Sequence, residues 1–287
     1  MAFGIYIHIP YCLSKCRYCD FYSAGHSGGV PDEYVRAVVR QLESEQLPRP
    51  DTLYFGGGTP SLLSAGQLER MVQAARPLPD AEVTVEANPE TLSPALLEGF
   101  LRAGANRLSL GVQTAFDDSL RRLGRPHTVA QSREALRMAR QAGFANISGD
   151  IMMALPYYSQ AEFDATLELL EEGGACHISA YLLKIEPGTV FGRHPPAGLP
   201  DEDETADLYL YAAEQLERHG FAQYEISNFA RPGRRSRHNL LYWNCEDYRG
   251  IGPAAHRCMR GVRTAWPACP ADFIAGRAAE TVTGECT

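Results

Sequence analysis

Six short apolar runs alternate with six amphipathic stretches along most of this 287-residue chain. The apolar runs have the length and composition of β-strands, and they lie at about 3–9, 52–56, 82–87, 107–112, 147–153 and 177–183. The amphipathic stretches predict helices, at about 31–47, 64–75, 93–103, 130–142, 160–172 and 202–219. Strands that alternate with crossover helices form parallel sheets. The sequence therefore predicts an α/β fold, a partial (β/α)6 barrel of the TIM type.

The alternation fades after Ile226, and the chain beyond it is rich in arginine, glycine, proline and aromatic residues. We therefore predict two parts, a partial barrel over residues 1–230 and a short C-terminal extension over residues 231–287.

Charge and composition exclude several classes of protein. Thirty-five acidic residues against 27 basic ones give a formal charge of -8, which opposes binding to a phosphate backbone, so we expect no nucleic-acid partner. We find no apolar stretch long enough to span a bilayer and no cationic signal sequence. Three of eight cysteines cluster within residues 12–19, which favours a metal site in a reducing compartment, and we predict a cytoplasmic protein.

The cluster is Cys12-x3-Cys16-x2-Cys19, directly after the first predicted strand. In a βα barrel the ends of the strands and the loops that follow them line the active face. Three thiolates on one loop can hold an inorganic cluster and leave one coordination position open. A closed zinc site normally takes four protein ligands, and a disulfide with a spare thiol requires an oxidising compartment; both remain alternatives.

The cysteine loop resembles the signature of radical S-adenosylmethionine (SAM) enzymes. The resemblance continues through motifs of the coproporphyrinogen dehydrogenase-like group, at 6–12, 54–60, 85–90, 110–113, 123–128, 185–189, 224–229, 237–239 and 242–243. It implies that Cys12, Cys16 and Cys19 hold a 4Fe-4S cluster and that SAM binds the open iron. If the protein catalyses a reaction, the reduced cluster would cleave SAM.

The resemblance also assigns a set of SAM contacts, which are Tyr6, Tyr18, Gly57, Gly58, Thr59, Glu86, Gln113, Arg125 and Asp150. Glycine lets the backbone approach a ligand closely, and we expect Gly57 and Gly58 to leave N–H groups free for it. The sequence departs from the family beyond Asp150, where Ala154 and Tyr157 stand at positions that are usually glycine. We expect this loop to differ in shape.

Within the group, the chain is most similar to the HemW haem chaperones. Family dehydrogenases carry a fourth cysteine after the third and an N-terminal extension, whereas here Asp20 and Phe21 follow Cys19 and only eleven residues precede Cys12. The resemblance implies haem as cargo, delivered to an acceptor protein that the sequence does not identify and that could lie at a membrane. The alternatives are an oxygen-independent coproporphyrinogen III dehydrogenase and a radical SAM methyltransferase. Relatives usually continue beyond Arg263 into a helical domain, so we expect a truncation or fragment.

Haem needs an axial ligand, an apolar slot and cations for its propionates. The sequence offers His238 as the ligand and Tyr242 and Trp243 as a stacking wall. A propionate clamp is offered by Arg231, Arg234, Arg235 and Arg237. The alternatives are a solvated loop for the arginines and a loop-orienting role for His238.

Overall fold

The computed structural model describes residues 2–25 and 28–285, and one twelve-stranded sheet organises them. The strands are β1 (Gly4–Ile9), β2 (Thr52–Gly57), β3 (Glu82–Ala87), β4 (Arg107–Gln113), β5 (Ile147–Met153), β6 (His177–Leu182), β7 (Ala222–Gln223), β8 (Asn228–Ala230), β9 (Tyr248–Ile251), β10 (His256–Met259), β11 (Val262–Ala265) and β12 (Thr281–Glu285). Their order across the sheet is β12-β11-β10-β9-β1-β2-β3-β4-β5-β6-β8-β7.

Strands β1 to β6 are parallel and adjacent in chain order, and each begins and ends within two residues of its predicted bounds. These strands are mostly buried, as expected of parallel strands covered on both faces, although Tyr181 and Leu182 at the end of β6 are exposed. Within residues 2–25 and 28–285, the two edges of the sheet do not pair with each other. The predicted α/β fold with a partial (β/α)6 barrel is confirmed.

The six predicted helices are present, and four shorter ones accompany them. The ten helices are α1 (Asp32–Ser44), α2 (Ala65–Ala75), α3 (Pro94–Arg102), α4 (Asp117–Leu123), α5 (Val129–Ala142), α6 (Gln160–Glu172), α7 (Val190–Arg193), α8 (Glu202–Arg218), α9 (Arg237–Trp243) and α10 (Pro270–Ile274). Capping boxes at Ser64, Thr128 and Asp201 fix the starts of α2, α5 and α8, because each cap satisfies backbone N–H groups that the helix leaves unpaired. No helix of the described chain is long and apolar enough to cross a membrane.

The last strands extend the same sheet from its first strand. β9 pairs in parallel with β1, with Gly4 opposite Tyr248, and β10, β11 and β12 follow as antiparallel neighbours. Arg249 on β9 is almost completely buried and forms ion pairs with Glu45, just after α1, and with Glu280. The division into residues 1–230 and 231–287 stays a prediction, and the structure adds that hydrogen bonds and ion pairs join the two parts.

Candidate functional site

A cavity at the carboxyl ends of the parallel strands brings together most of the residues singled out from the sequence. Its lining includes Cys12, Cys16, Tyr18, Cys19, Gly57, Gly58, Thr59, Glu86, Gln113, Arg125 and Asp150. We call this the cysteine cavity. The residues come from five consecutive strands and the loops after them, which is where the geometry of a βα barrel gathers functional side chains.

Three backbone contacts hold the cysteine loop in place. The two-residue strands Tyr11–Cys12 and Ala24–Gly25 pair in parallel at its base. Arg17 N–H donates to the carbonyl of Leu123, the last residue of α4 (3.0 Å), and Phe191 N–H of α7 donates to the carbonyl of Arg17 (2.9 Å). Both helices are short and were missed from the sequence, because four to seven residues carry too little periodicity to stand out.

The three thiols have different surroundings. The Thr59 hydroxyl donates to Cys12 Sγ (3.5 Å), and the Arg125 guanidinium donates to Cys16 Sγ (3.5 Å). Burial raises the pKa of the Cys19 thiol. Among the residues that the structure describes, no three His, Cys, Asp or Glu side chains converge on a point where one metal ion could bind.

Arg125 is a partly buried cation that contacts the cysteine loop. Its Nη2 atom donates to Asn88 Oδ1 (2.8 Å) and to the carbonyl of Gly111 (2.8 Å). Its Nε has no hydrogen-bond partner among the described residues. Burial lowers the pKa of the guanidinium, but nearby Tyr18, Cys16 and Glu90 outweigh this and raise it. A buried charge needs a partner, and an anionic cluster or carboxylate beside Cys16 would supply one.

The two glycines do not leave their N–H groups free, which corrects the sequence-based expectation. Gly57 N–H donates to the Glu86 carboxylate (3.1 Å), and Gly58 N–H donates to the carbonyl of Ile9 (2.8 Å). Gly57 has φ +111°, and a Cβ there would lie within 3 Å of the His8 ring. Glycine is therefore required by close packing of the strand ends against each other.

Two partly buried carboxylates, those of Glu86 on β3 and Asp150 on β5, face the cavity. Burial raises the pKa of Glu86 to about 7, although the hydrogen bond from Tyr54 Oη (2.8 Å) opposes the shift. Burial raises the pKa of Asp150 to about 6, opposed by hydrogen bonds from serine hydroxyls. The negative charge of Asp150 raises the pKa of Glu86, and both carboxylates raise the pKa of Tyr54. Since a cationic group would offset this repulsion, the pair favours a cationic ligand group.

Left-handed backbone occurs at three non-glycine residues around this end of the barrel. Gln113 has φ 69° where β4 is irregular, and Ala154 and Tyr157 have φ 56° and 61°. The loop after β5 was expected to change shape because Ala154 and Tyr157 replace glycines. Instead, both residues adopt the conformation that glycine favours, and they carry the steric cost of a Cβ in that region.

Tyr6 lies beside a second, larger opening that adjoins the cysteine cavity through Phe21 and Glu86. We call it the lateral cavity, since it lies between the two sides of the incomplete barrel. Its volume is about 870 Å³. The lining comprises Tyr6, His8, Asp20, Phe21, Tyr22, Tyr54, Glu86, Tyr181, Glu225, Ser227, Asn228, Asn239, Tyr242, Trp243, Tyr248, Ala254, His256 and Arg263. Eight of these side chains are aromatic, as is common in pockets for large planar ligands.

His238, the predicted axial ligand, is buried and lies outside the residues that line the lateral cavity. Its imidazole is 1% exposed, with Nδ1 bonded to Thr52 Oγ1 (2.7 Å) and Nε2 to Tyr242 Oη (2.8 Å). Burial, aided by Arg107, lowers its pKa to about 3. Both ring nitrogens are thus hydrogen-bonded in this structure, as the alternative in which His238 orients its own segment requires, and the axial role stays a prediction. Tyr242 and Trp243 do line the lateral cavity.

The proposed propionate clamp lies at the wrong end of the barrel. Arg237 donates to the carbonyl of Asp80, just before β3 (2.7 Å), and Arg231 pairs with Glu171 near the end of α6 (2.9 Å). These contacts are at the amino ends of the strands, opposite the cysteine loop. Arg235 lies over the Tyr224 ring. The composition of residues 231–237 does not indicate at which end of the barrel this segment lies.

Two residues of the cysteine cavity were missed. Asn88 bridges the site, because its amide N–H donates to Thr59 Oγ1 (3.2 Å) and its oxygen accepts from Arg125. Ser109 Oγ donates to Asp150 (3.4 Å). Asn88 lies two residues after Glu86 at the end of β3, and Ser109 shares a strand face with Gln113; both signals were available in the sequence.

Comparison with known proteins gives a consistent result. Residues 6–170 match the Radical SAM superfamily. The "Heme chaperone HemW" of Escherichia coli (strain K12) is 40% identical over 292 residues, which cover 97% of this chain and 77% of that protein. The protein of the same name from Lactococcus lactis subsp. lactis is 39% identical over 265 residues, covering 90% and 70%. A solved structure titled "Coproporphyrinogen III oxidase (HemN) from Escherichia coli is a Radical SAM enzyme" aligns with a TM-score of 0.84 at 21% identity, covering 100% of this chain and 72% of that chain.

Proposed function

Because the chain belongs to the radical SAM superfamily and, within it, to the HemW family, we propose that it binds haem and passes it to an acceptor protein. Superfamily membership implies a 4Fe-4S cluster and SAM. Haem as cargo is suggested by the printed name of relatives at about 40% identity. The single observation that carries the proposal is the aromatic lateral cavity of about 870 Å³ that opens beside the cysteine loop.

The residues that would hold the cluster are Cys12, Cys16 and Cys19. The hydroxyl of Thr59 and the guanidinium of Arg125 already donate to two of the three sulfurs, and hydrogen bonds to sulfur are one means by which a protein tunes an iron-sulfur centre. Tyr18, whose hydroxyl is buried, covers the loop on the Arg125 side. When bound, the cluster would supply the electron for reductive cleavage of SAM.

The residues proposed to bind SAM would act through charge and close packing. Glu86 and Asp150 would attract its positively charged sulfonium and ammonium groups, while the unpaired Nε of Arg125 would face its carboxylate. Gln113 and Thr59 would contribute polar contacts. Gly57 and Gly58 lack side chains and so leave space in the cavity for the ligand. Tyr6 would act from the adjoining lateral cavity.

The lateral cavity suits a large flat ligand. Tyr242 and Trp243 at the end of α9 form its lower wall, and Phe21 and Tyr22 from the cysteine loop form part of its rim. Phe21 is 71% exposed and Trp243 is 55% exposed. Large apolar side chains exposed around a concave surface mark a binding site. Haem bound here would lie next to the cluster loop.

The test is anaerobic reconstitution with iron and sulfide, followed by titration with ferric haem. We expect one haem bound per chain, with a Soret band that differs from that of free haem. 5'-deoxyadenosine is assayed in parallel with and without haem, and coproporphyrinogen III is supplied with SAM and reductant. Absence of haem binding by the loaded protein would refute the proposal, and formation of protoporphyrinogen IX would instead support the dehydrogenase.

A further inference from the structure

We propose that the contact between Glu90 and His127 positions the Arg125 guanidinium for the carboxylate of SAM, an inference that rests on the SAM site proposed above. Glu90 Oε2 lies 3.3 Å from His127 Nδ1, and the His127 side chain is completely buried. Neither residue lines the cysteine cavity, and neither is among the SAM contacts assigned from the sequence. The pair therefore acts on the ligand through Arg125, as two positioning residues.

Glu90 and His127 belong to the two chain segments whose side chains meet at the SAM site. Glu90 lies in the short helical turn Pro89–Thr91, directly after Asn88. His127 lies in the connection between α4 and α5, two residues after Arg125. Because Arg125 Nη2 already donates to Asn88 Oδ1 (2.8 Å), the Glu90–His127 contact is a second link between the same segments. Two separate links prevent one segment from turning against the other, which gives the guanidinium a fixed direction.

The imidazole of His127 is held at both ring nitrogens. Nε2 donates to the carbonyl of Val112 on β4 (3.3 Å), since a carbonyl oxygen can only accept. Nδ1 faces the Glu90 carboxylate, and neither Nδ1 nor Glu90 Oε2 has another hydrogen-bond partner among residues 2–25 and 28–285. Two acceptors would repel each other, so the pair shares one proton. The ring is thus fixed between β4 and the turn that carries Glu90, and the backbone next to Arg125 is fixed with it.

Charge also relates Glu90 to Arg125. Burial by itself would raise the pKa of Glu90, but the contact with His127, its own backbone N–H and nearby Arg125 outweigh burial and lower the pKa. The carboxylate is therefore ionised at neutral pH. Together with Tyr18 and Cys16, it raises the pKa of the Arg125 guanidinium against the effect of burial. Because Nε of Arg125 has no hydrogen-bond partner among the described residues, the guanidinium can still bind a ligand carboxylate.

Two hydroxyl groups hold the turn that carries Glu90 from its other side. Thr91 Oγ1 donates to the carbonyl of Asn88 (2.8 Å) and accepts from Ser61 Oγ (2.6 Å). Ser61 Oγ in turn accepts from Asn88 N–H (3.3 Å). The turn is therefore tied to the loop after β2 through Ser61 and to the connection between α4 and α5 through His127. These side chains do not line the cysteine cavity, yet they link three segments whose neighbouring residues do.

The proposal is tested by calorimetry of SAM and of decarboxylated SAM with the anaerobic, reconstituted full chain. The quantity compared is the ratio of the two affinities, because a loss of folded protein lowers the binding of both ligands alike, whereas a misplaced Arg125 weakens only the ligand that has a carboxylate. We expect this ratio to fall by about five- to tenfold in Glu90→Asp, whose carboxylate is one methylene shorter, and in His127→Leu. Glu90→Gln should keep the wild-type ratio, since its amide has the original length and can donate to Nδ1.

The matched control is His219→Leu, which removes another histidine–glutamate contact, with Glu171 (2.5 Å), at the opposite end of the barrel; its ratio should equal that of wild type. Arg125→Ala sets the lower limit of the ratio, and adding Glu90→Asp to it should cause no further decrease. A wild-type ratio in both Glu90→Asp and His127→Leu would overturn the proposal. So would a ratio that falls in Glu90→Gln as much as in Glu90→Asp, because charge and not position would then be decisive.

Iron content and thermal unfolding of each variant report whether the cluster site and the barrel are intact. If His127→Leu does not fold, the two smaller changes at Glu90 decide the question. If the wild type binds no SAM, the proposed SAM site fails. If it binds SAM and the ratio is insensitive to the changes at Glu90, only the positioning role fails. A wild type that binds SAM but no haem would refute the chaperone function and leave the role of Glu90 and His127 standing.

Discussion

The guanidinium of Arg125 donates a hydrogen bond to Cys16 Sγ across 3.5 Å, and the two residues are 109 positions apart in the chain. The contact joins the loop after β1 to the segment between α4 and α5. It places the positive charge of Arg125 against the thiol of Cys16. Among the described residues, no carboxylate forms an ion pair with Arg125.

Replacing any one of Cys12, Cys16 or Cys19 with alanine should abolish cluster assembly, because two thiolates cannot take the place of three. Iron and sulfide analysis with the visible spectrum after anaerobic reconstitution provides the measurement. Cys245→Ala, which changes an exposed cysteine, should load normally. Full iron content in Cys16→Ala, or one zinc and no iron in wild type, would contradict the prediction.

Arg125→Ala should weaken SAM binding by about tenfold or more while iron content stays close to wild type. Arg125→Lys should recover only part of the affinity, because an ammonium keeps the charge but lacks the planar fork. Calorimetry of SAM with the anaerobic holo-protein measures both. Arg121→Ala, on the exposed ion pair with Asp118 of α4, serves as the control, and equal SAM affinity in Arg125→Ala would rule out the assigned contact.

SAM affinity should increase as the pH rises from about 6 to 8. Burial raises the pKa of Glu86 to about 7 and that of Asp150 to about 6, so at pH 6 Glu86 is largely neutral and Asp150 is about half ionised. Ionisation restores the negative charge that attracts the cationic ligand, and the affinity should change by about five- to tenfold. Glu86→Gln should flatten the upper part of the profile. An unaltered pH profile in this variant would exclude Glu86 as the titrating group.

Arg249→Met should destabilise the fold by about 3 to 5 kcal/mol, because it leaves the partly buried carboxylates of Glu45 and Glu280 without their shared cation. Urea unfolding followed by circular dichroism gives the free energy. Arg36→Met removes an exposed pair with Asp32 and should change stability by no more than about 1 kcal/mol. Similar values for the two variants would show that burial does not strengthen the Arg249 network.

Ala154→Gly should stabilise the protein by about 1 kcal/mol, since alanine at φ 56° pays a steric cost that glycine avoids. The same change inside a helix has the opposite sign, and Ala213→Gly in α8 should destabilise by about 1 kcal/mol. Thermal and urea unfolding of both variants provide the comparison. A destabilised Ala154→Gly variant would mean that the methyl group contributes packing that outweighs the strain.

The six parallel strands could be predicted because each is a short, mostly buried run followed by an amphipathic helix. Cys12, Glu86 and Asp150 could be grouped because parallel strands present their carboxyl ends on one rim. The position of His238 could not be deduced, since its partner Thr52 is 186 residues away. His256 lies outside every motif recognised in the sequence. Its exposure on the wall of the lateral cavity depends on the pairing of β9 with β1, and no local sequence pattern predicts that contact.

That pairing also orders events during synthesis. β1 carries the cysteine loop, yet one of its two neighbours, β9, leaves the ribosome 244 residues after it, as the match of Gly4 with Tyr248 requires. Contacts between such distant segments form late. A nascent chain that has made only its first six strands exposes one side of β1, and the wall that contains His256 does not yet exist. A ligand of the lateral cavity would therefore find its complete site only after nearly the whole chain has been released, and premature termination near residue 245 would leave the three thiols but remove one wall of that cavity.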